Sequence, residues 1–131
     1  VVVKLVNDSY GEEVHQLLAR HNLAPALYGY ARPEGAPAAY VMEYLDENWR
    51  SLFDLLRRDS SRPFHQAIYA SLQRALDLLK EENLVHGDLR SNNIMVRITD
   101  GEPQIKIIDY DWAGKAGQVR YPAARNESLD W

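Results

Sequence analysis

Two short apolar runs, IMVRI and IKII, flank the segment Thr99-Asp100-Gly101-Glu102-Pro103. Each run is too short for an ordinary helix and rich in β-branched residues, so the pair reads as a hairpin with strands over 94–98 and 104–108. This hairpin constrains the chain more than any other feature. It sets Asn93, at the entry to the first strand, and Asp109, at the exit of the second, at the same end of one rigid unit. Asp88 stands five residues before Asn93, in the polar stretch HGDLRSNN that follows apolar Leu84-Val85. Asp and Asn in loops ordinarily serve turns. An acid, an amide and a second acid gathered at strand ends suit something charged. An amide carbonyl and a carboxylate are hard oxygen donors of the kind Mg²⁺ takes together with phosphate oxygens. Asp88, outside that pair, could orient or deprotonate a hydroxyl.

The rest of the chain supplies elements around this unit. Val1 to Val6, broken only by Lys4, suits a strand, and Asn7, Asp8, Ser9 and Gly11 form a turn. EEVHQLLARH follows as a helix with Val14, Leu17 and Leu18 on one face and Glu13 beside Leu17. Glu12 is expected to point away with His15 and Gln16. Pro25 ends the connection, and ALYGYA and PAAYVMEYL read as strands around Arg32-Pro33-Glu34-Gly35. Asp46, Glu47 and Asn48 make a short linker. Ser51 fits the N-cap of a brief helix through Leu52, Leu55 and Leu56. Pro63 suits the first turn of a longer helix over 63–82, in which Ile68, Leu72, Ala75, Leu76 and Leu79 recur at helical spacing. The order is an α+β plan whose cleft is expected at the linker.

Bulk properties narrow the function classes. The 131 residues suffice for one domain, and 46% hydrophobic with 26% charged residues is a globular composition. A net charge of −4 without a basic block indicates no nucleic-acid partner. No apolar run approaches the roughly 18 residues of a membrane span, so no membrane partner is expected. The absence of cysteine excludes disulfides and fits a reducing, cytoplasmic location. The chain opens on Val1-Val2-Val3 and closes on Leu129-Asp130-Trp131, and is expected to be part of a longer protein.

HGDLRSNN resembles the catalytic loop of the protein kinase superfamily, and IDYD resembles its DFG metal motif. VVVK resembles the VAIK strand and YVMEYL the hinge between two lobes, in the family's order. The spellings HGDLRSNN, DYDWAG and VRYP are most similar to fungal protein-kinase-like proteins. The resemblance implies an incomplete kinase-like fold, with residues 1–45 as part of the N-lobe and hinge and 46–131 as part of the C-lobe. It implies ATP and Mg²⁺ as cofactors and a protein hydroxyl as acceptor. Lys4 would contact the α/β-phosphates and pair with Glu13. Met42 would be the gatekeeper, with Glu43 to Leu45 presenting hinge backbone to adenine and Met95 forming part of its floor. Asp88 would be the catalytic base, Arg90 a cation for the γ-phosphate or substrate, and Asn93 and Asp109 the metal ligands. His86 and Tyr110 would pack beneath the site.

Departures from the pattern open alternatives. Gly87 stands where HRD has its arginine, removing the usual receiver for an activation-loop phosphate. Asp111 replaces the Gly of DFG. Both features also occur in aminoglycoside and choline kinases, so a small-molecule acceptor stays open. The Gly-rich loop and the APE-like segment fall outside the chain, so a non-catalytic pseudokinase or binding fragment is the third reading.

Overall fold

The computed structural model describes residues 1–117; the VRYP stretch lies outside them. Strand β1 (Val2–Val6), β2 (Leu27–Ala31) and β3 (Ala38–Met42) form an antiparallel sheet in the order β1-β3-β2. Helix α1 (Glu12–Arg20) connects β1 to β2. The linker leads to β4 (Arg50–Ser51) and the short helix α2 (Leu52–Leu56), whose Asp54 N–H donates to the Ser51 hydroxyl at 3.1 Å, the expected cap. A 3₁₀ turn (Asp59–Phe64) precedes α3 (His65–Glu81). Strand β5 (Leu84–Val85), a 3₁₀ turn (Ser91–Asn93), β6 (Ile94–Thr99), β7 (Glu102–Ile107) and β8 (Gly114–Lys115) complete the order.

The β6–β7 hairpin forms, with a tighter turn than expected. Asp100 and Gly101 alone make it, both with positive φ (53° and 77°), so Thr99 pairs directly with Glu102. An Asp-Gly pair with two left-handed residues matches the right-handed twist of the flanking strands. Pro103 therefore lies inside β7, which its edge position in the sheet β4-β6-β7 permits. Pro63 belongs to the 3₁₀ turn rather than to the first turn of the long helix. The two-residue pairings β4–β6 and β5–β8 have no sequence period to announce them.

One continuous core links both sheets: Val14 and Leu18 of α1 (each fully buried), Ala75 and Leu79 of α3, and Ile94, Val96, Ile105 and Ile107 of the hairpin. Backbone bonds join the halves, because Ile107 N–H donates to Leu23 C=O at 2.8 Å in the α1–β2 connection. The valine run behaves differently from a core strand. β1 lies at a sheet edge, and Val3 and Leu5 are 57% and 68% exposed, on the face shared with Ala39 and Val41 across the register.

Truncating Leu18→Ala should therefore cost about 2–5 kcal/mol of folding free energy, since a fully enclosed leucine leaves a cavity. Urea unfolding with an unchanged m-value would register it.

Candidate functional site

His86 holds the polar loop in place. A backbone amide can only donate and a carbonyl only accept, so two contacts fix the imidazole tautomer. Asp88 N–H donates to His86 Nδ1 at 3.2 Å, and His86 Nε2–H donates to Ile108 C=O at 2.9 Å. The ring is 2% exposed, and burial lowers its pKa below the ordinary 6.5, against smaller raising effects from Ile108 and the nearby aspartates. One neutral side chain thus ties the loop before β6 to the residue that follows β7.

Both oxygens of the Asp88 carboxylate have partners. Asn93 Nδ2 donates to Asp88 Oδ2 at 3.1 Å and to its backbone carbonyl at 2.9 Å, while Arg90 Nε lies 3.3 Å from Oδ1. Asn93 is held in turn by Ile108 N–H, which donates to its backbone carbonyl at 2.9 Å. The hairpin thus sets Asn93 opposite Ile108, one residue before Asp109. The side chains of Asn93 and Asp109 do not hydrogen-bond each other, and the bonds of Asn93 leave its Oδ1 unused.

Asp109 adopts a left-handed φ of 66°, a conformation that costs a non-glycine residue energy and collects at functional sites. Lys4 reaches it from β1: the ammonium is 3.7 Å from Asp109 Oδ1, 2.8 Å from Asp111 Oδ1 and 5.5 Å from the Tyr10 ring centre. Asp111 Oδ1 is buried and lies against the Lys4 ammonium. The unused Asn93 Oδ1 and the Asp109 carboxylate are hard oxygen donors of the kind that fits a divalent cation such as Mg²⁺. No group of three His, Cys, Asp or Glu side chains gathers as a metal cluster among the described residues.

The expected Lys4–Glu13 pair is not formed. Glu13 lies on the exposed rim of α1 and pairs with Lys115 at 3.3 Å. Glu12, expected to point away, instead accepts from the Tyr40 hydroxyl at 3.0 Å and pairs with Arg32. His15, expected outside, is fully buried. The buried arc of α1 is Val14, His15, Leu17 and Leu18, which leaves both glutamates to whichever cation their neighbours supply.

Beneath Asp109 lies an aromatic stack that includes the two expected packing residues and two that sequence reasoning missed. Tyr110 is 1% exposed and donates to Ile107 C=O at 2.6 Å. His15 stacks on it at 4.5 Å with the rings 8° apart, and His86 meets its edge at 5.1 Å. Tyr10 donates to His15 Nδ1 at 2.8 Å, and His15 Nε2–H donates to Pro25 C=O at 2.8 Å. Burial lowers the His15 pKa, partly offset by the Pro25 bond, and burial raises those of Tyr10 and Tyr110. A histidine beside Val14 carries no sequence mark that separates this role from a solvated one.

Two glycines bring the metal-motif segment close. Gly87 has φ 89°, and a Cβ there would fall 2.3 Å from the Trp112 carbonyl oxygen. Gly11 donates its N–H to Tyr110 C=O at 2.8 Å, and a Cβ on it would meet Ala113 Cβ at 2.5 Å. The missing arginine at 87 thus has a steric reason as well as the regulatory one read from sequence.

The hinge residues fall between the sheets. Met42 ends β3 opposite Val2 and Leu27. The Glu43 and Ala26 backbones are joined by Glu43 N–H to Ala26 C=O at 2.9 Å, and Ala26 N–H returns to Glu43 Oε1 at 3.1 Å. Lys106 Nζ of β7 donates to the same oxygen at 2.6 Å. Burial raises the Glu43 pKa, but the bonds from Lys106 and Ala26 outweigh it and leave the carboxyl below its ordinary 4.5. Trp49 lies under this clamp, with Arg97 and Lys106 at 4.8 and 5.5 Å from ring centres. Leu45 and Met95 are half-buried, Met95 on β6 opposite Lys106. A cavity of about 810 Å³ on the far side of the linker, lined by Arg50, Arg58 and Arg97 among others, holds none of the expected site residues.

Comparison with known proteins gives a consistent picture. A family model described as "Protein kinase domain" matches residues 12–127. A Caenorhabditis elegans protein named as a ribosomal protein S6 kinase alpha-1 is 32% identical over 118 residues, covering 86% of this chain and 15% of that protein. The solved structure of the Cydia pomonella granulovirus kinase PK-1 is similar in fold, with a TM-score of 0.68 and 22% identity over 88% of this chain and 43% of that one. The chain therefore spans less than half the length of each of these relatives. No helix among the described residues is long and apolar enough to cross a membrane.

Two outcomes follow from this geometry. Unfolded, His15 and His86 protonate near pH 6.5, and folded they resist it, so stability is complete above that pH and falls below it. The loss should reach up to about 1.4 kcal/mol per pH unit for each histidine, and thermal unfolding between pH 7.5 and 5.5 should show a shallower slope in His15→Gln. Replacing Gly87→Ala should destabilise by at least about 2 kcal/mol, because strain at positive φ adds to a clash with backbone; chemical denaturation measures it.

Proposed function

Because the chain belongs to the protein kinase domain family, we propose that it carries the catalytic and metal-binding part of an ATP-dependent protein kinase. The observation that supports this best is the carboxylate of Asp88, held on one oxygen by Asn93 and on the other by Arg90. In this reading Asp88 accepts and orients the acceptor hydroxyl, and its fixed direction lowers the entropy lost in reaching the reactive geometry. Arg90, half-exposed at the loop, supplies positive charge toward the transferring phosphoryl group. Lys4 contacts the nucleotide phosphates, and Asn93 Oδ1 and the Asp109 carboxylate hold Mg²⁺. Bound Mg²⁺ neutralises charge on the phosphate oxygens. Glu43 and Leu45 offer hinge backbone to adenine, with Met42 behind and Met95 below. Glu13, paired with Lys115, is left out of the nucleotide site.

Residues 1–45 serve as the N-lobe part with the hinge and 46–131 as the C-lobe part, in a protein acting in the cytoplasm on protein hydroxyls. The likeness to fungal protein-kinase-like proteins rests on the spelling of the three motifs. A second reading, a small-molecule phosphotransferase, draws on one specific observation: the packing of Gly87 against Trp112 leaves no room for the arginine that receives an activation-loop phosphate.

In a polypeptide spanning the whole catalytic domain, Asp88→Asn should lower phosphotransfer by about 10²-fold or more while leaving Mg·ATP binding intact. A radiolabel transfer assay beside calorimetric ATP binding separates the two. Normal turnover in that variant would remove Asp88 from its role, and transfer to a small alcohol but to no protein would favour the second reading.

A further inference from the structure

We infer that Asp111 is an internal anion that occupies Lys4 while the site is empty of phosphate, so that position 111 sets the affinity for a nucleotide's phosphates. This rests on the nucleotide-binding reading of Lys4 and goes beyond it by naming what the phosphates must displace.

Lys4 lacks the helix carboxylate expected for it. Glu12 is taken by Arg32 and Tyr40, and Glu13 by Lys115. Among the described residues, its ion-pair partners are the two acids of the metal motif, and the nearer is Asp111, at 2.8 Å against 3.7 Å for Asp109. The Asp111 contact is made by a single carboxylate oxygen, Oδ1, which has no other donor among the described residues. A phosphate group competes with this single oxygen by bringing more charge and several acceptor oxygens.

The surroundings allow the exchange. Lys4 and Asp111 side chains are 32% and 41% exposed, and a recess of about 250 Å³ bordered by Lys4, Asn7, Ser9, Asp111 and Trp112 opens beside them. The backbone that follows cannot shift freely. Trp112 C=O is packed on Gly87 and Ala113 on Gly11, closer than any side chain would permit. Displacement therefore takes place by rotation of the Asp111 side chain, with Asp109 and the stacked Tyr110 staying in place.

The test compares the protein with Asp111→Asn, Lys4→Met and the double variant. Calorimetry measures binding of ADP and of adenosine without Mg²⁺, and of ADP again with Mg²⁺, and thermal unfolding is followed without nucleotide. Asp111→Asn should bind ADP roughly 3–10-fold tighter, the value of one partly exposed ion pair, with adenosine affinity unchanged. In the nucleotide-free protein the two Tm losses should be non-additive. Lys4→Met should weaken ADP in either background and erase the gain from Asp111→Asn.

Unchanged or weaker ADP binding by Asp111→Asn, while Lys4→Met still weakens it, overturns the inference and leaves the nucleotide reading standing. Weakening seen only with Mg²⁺ present also overturns it and makes Asp111 a metal ligand. Equal ADP affinity in the protein and Lys4→Met, or no ADP binding by any of the four proteins, overturns both. Additive Tm losses overturn the pair itself.

Discussion

A neutral imidazole at position 86 is the joint on which the candidate site depends. It accepts from the Asp88 amide on one nitrogen and donates to the Ile108 carbonyl on the other. Charging the ring would set a donor against the Asp88 N–H and bury a cation, so the Asp88 bond depends on the ring's neutrality, while the bond to Ile108 C=O needs only the Nε2–H. Everything assigned to chemistry hangs from these two bonds. Asp88 lies on one side, Asp109 directly after the other, and Asn93 is fixed to both through Asp88 and the Ile108 amide. Tyr110 then closes the floor, its ring set steeply against the same imidazole.

A second junction works on the hinge side with charge rather than neutrality. One oxygen of Glu43 receives both Lys106 and the Ala26 amide, so a hinge residue, a strand of the second sheet and the α1–β2 connection share one atom. The Ile107–Leu23 bond lies one residue further along β7. Together they make β7 the common rail for both sheets: its last residues carry the clamp, then the backbone bridge, then the metal motif.

Much of this was legible in sequence because hairpins and turns are local. IMVRI and IKII announce the hairpin that places Asn93 beside the end of β7, although the turn closes on Asp100-Gly101 rather than on the five residues expected. HGDLRSNN identifies itself by the order of its polar groups. What escaped was decided across long separations. Whether Glu12 or Glu13 meets Lys4 turns on Arg32, Tyr40 and Lys115, which no helical period reports. His15 looked like a surface residue because its partners, Tyr10, Pro25 and Tyr110, come from three different segments. Gly87 was readable as an absence of arginine, but the carbonyl occupying its space belongs to Trp112, 25 positions on. Pairings as short as β4–β6 and β5–β8 are too brief to leave any alternation.

The placement of β1 has a colloidal consequence. The strand forms one edge of its sheet, and the face it shares with Ala39 and Val41 presents Val3 and Leu5 to water. Charge ordinarily protects such an edge from pairing with another chain. Here the strand's single charged residue, Lys4, is turned to the opposite face and neutralised by Asp109 and Asp111. Among the described residues the strand itself therefore offers this edge little electrostatic defence. The chain's net charge of −4 sets up a repulsion between copies that added salt screens while strengthening apolar contact. Low ionic strength is thus the condition in which this chain best stays dispersed.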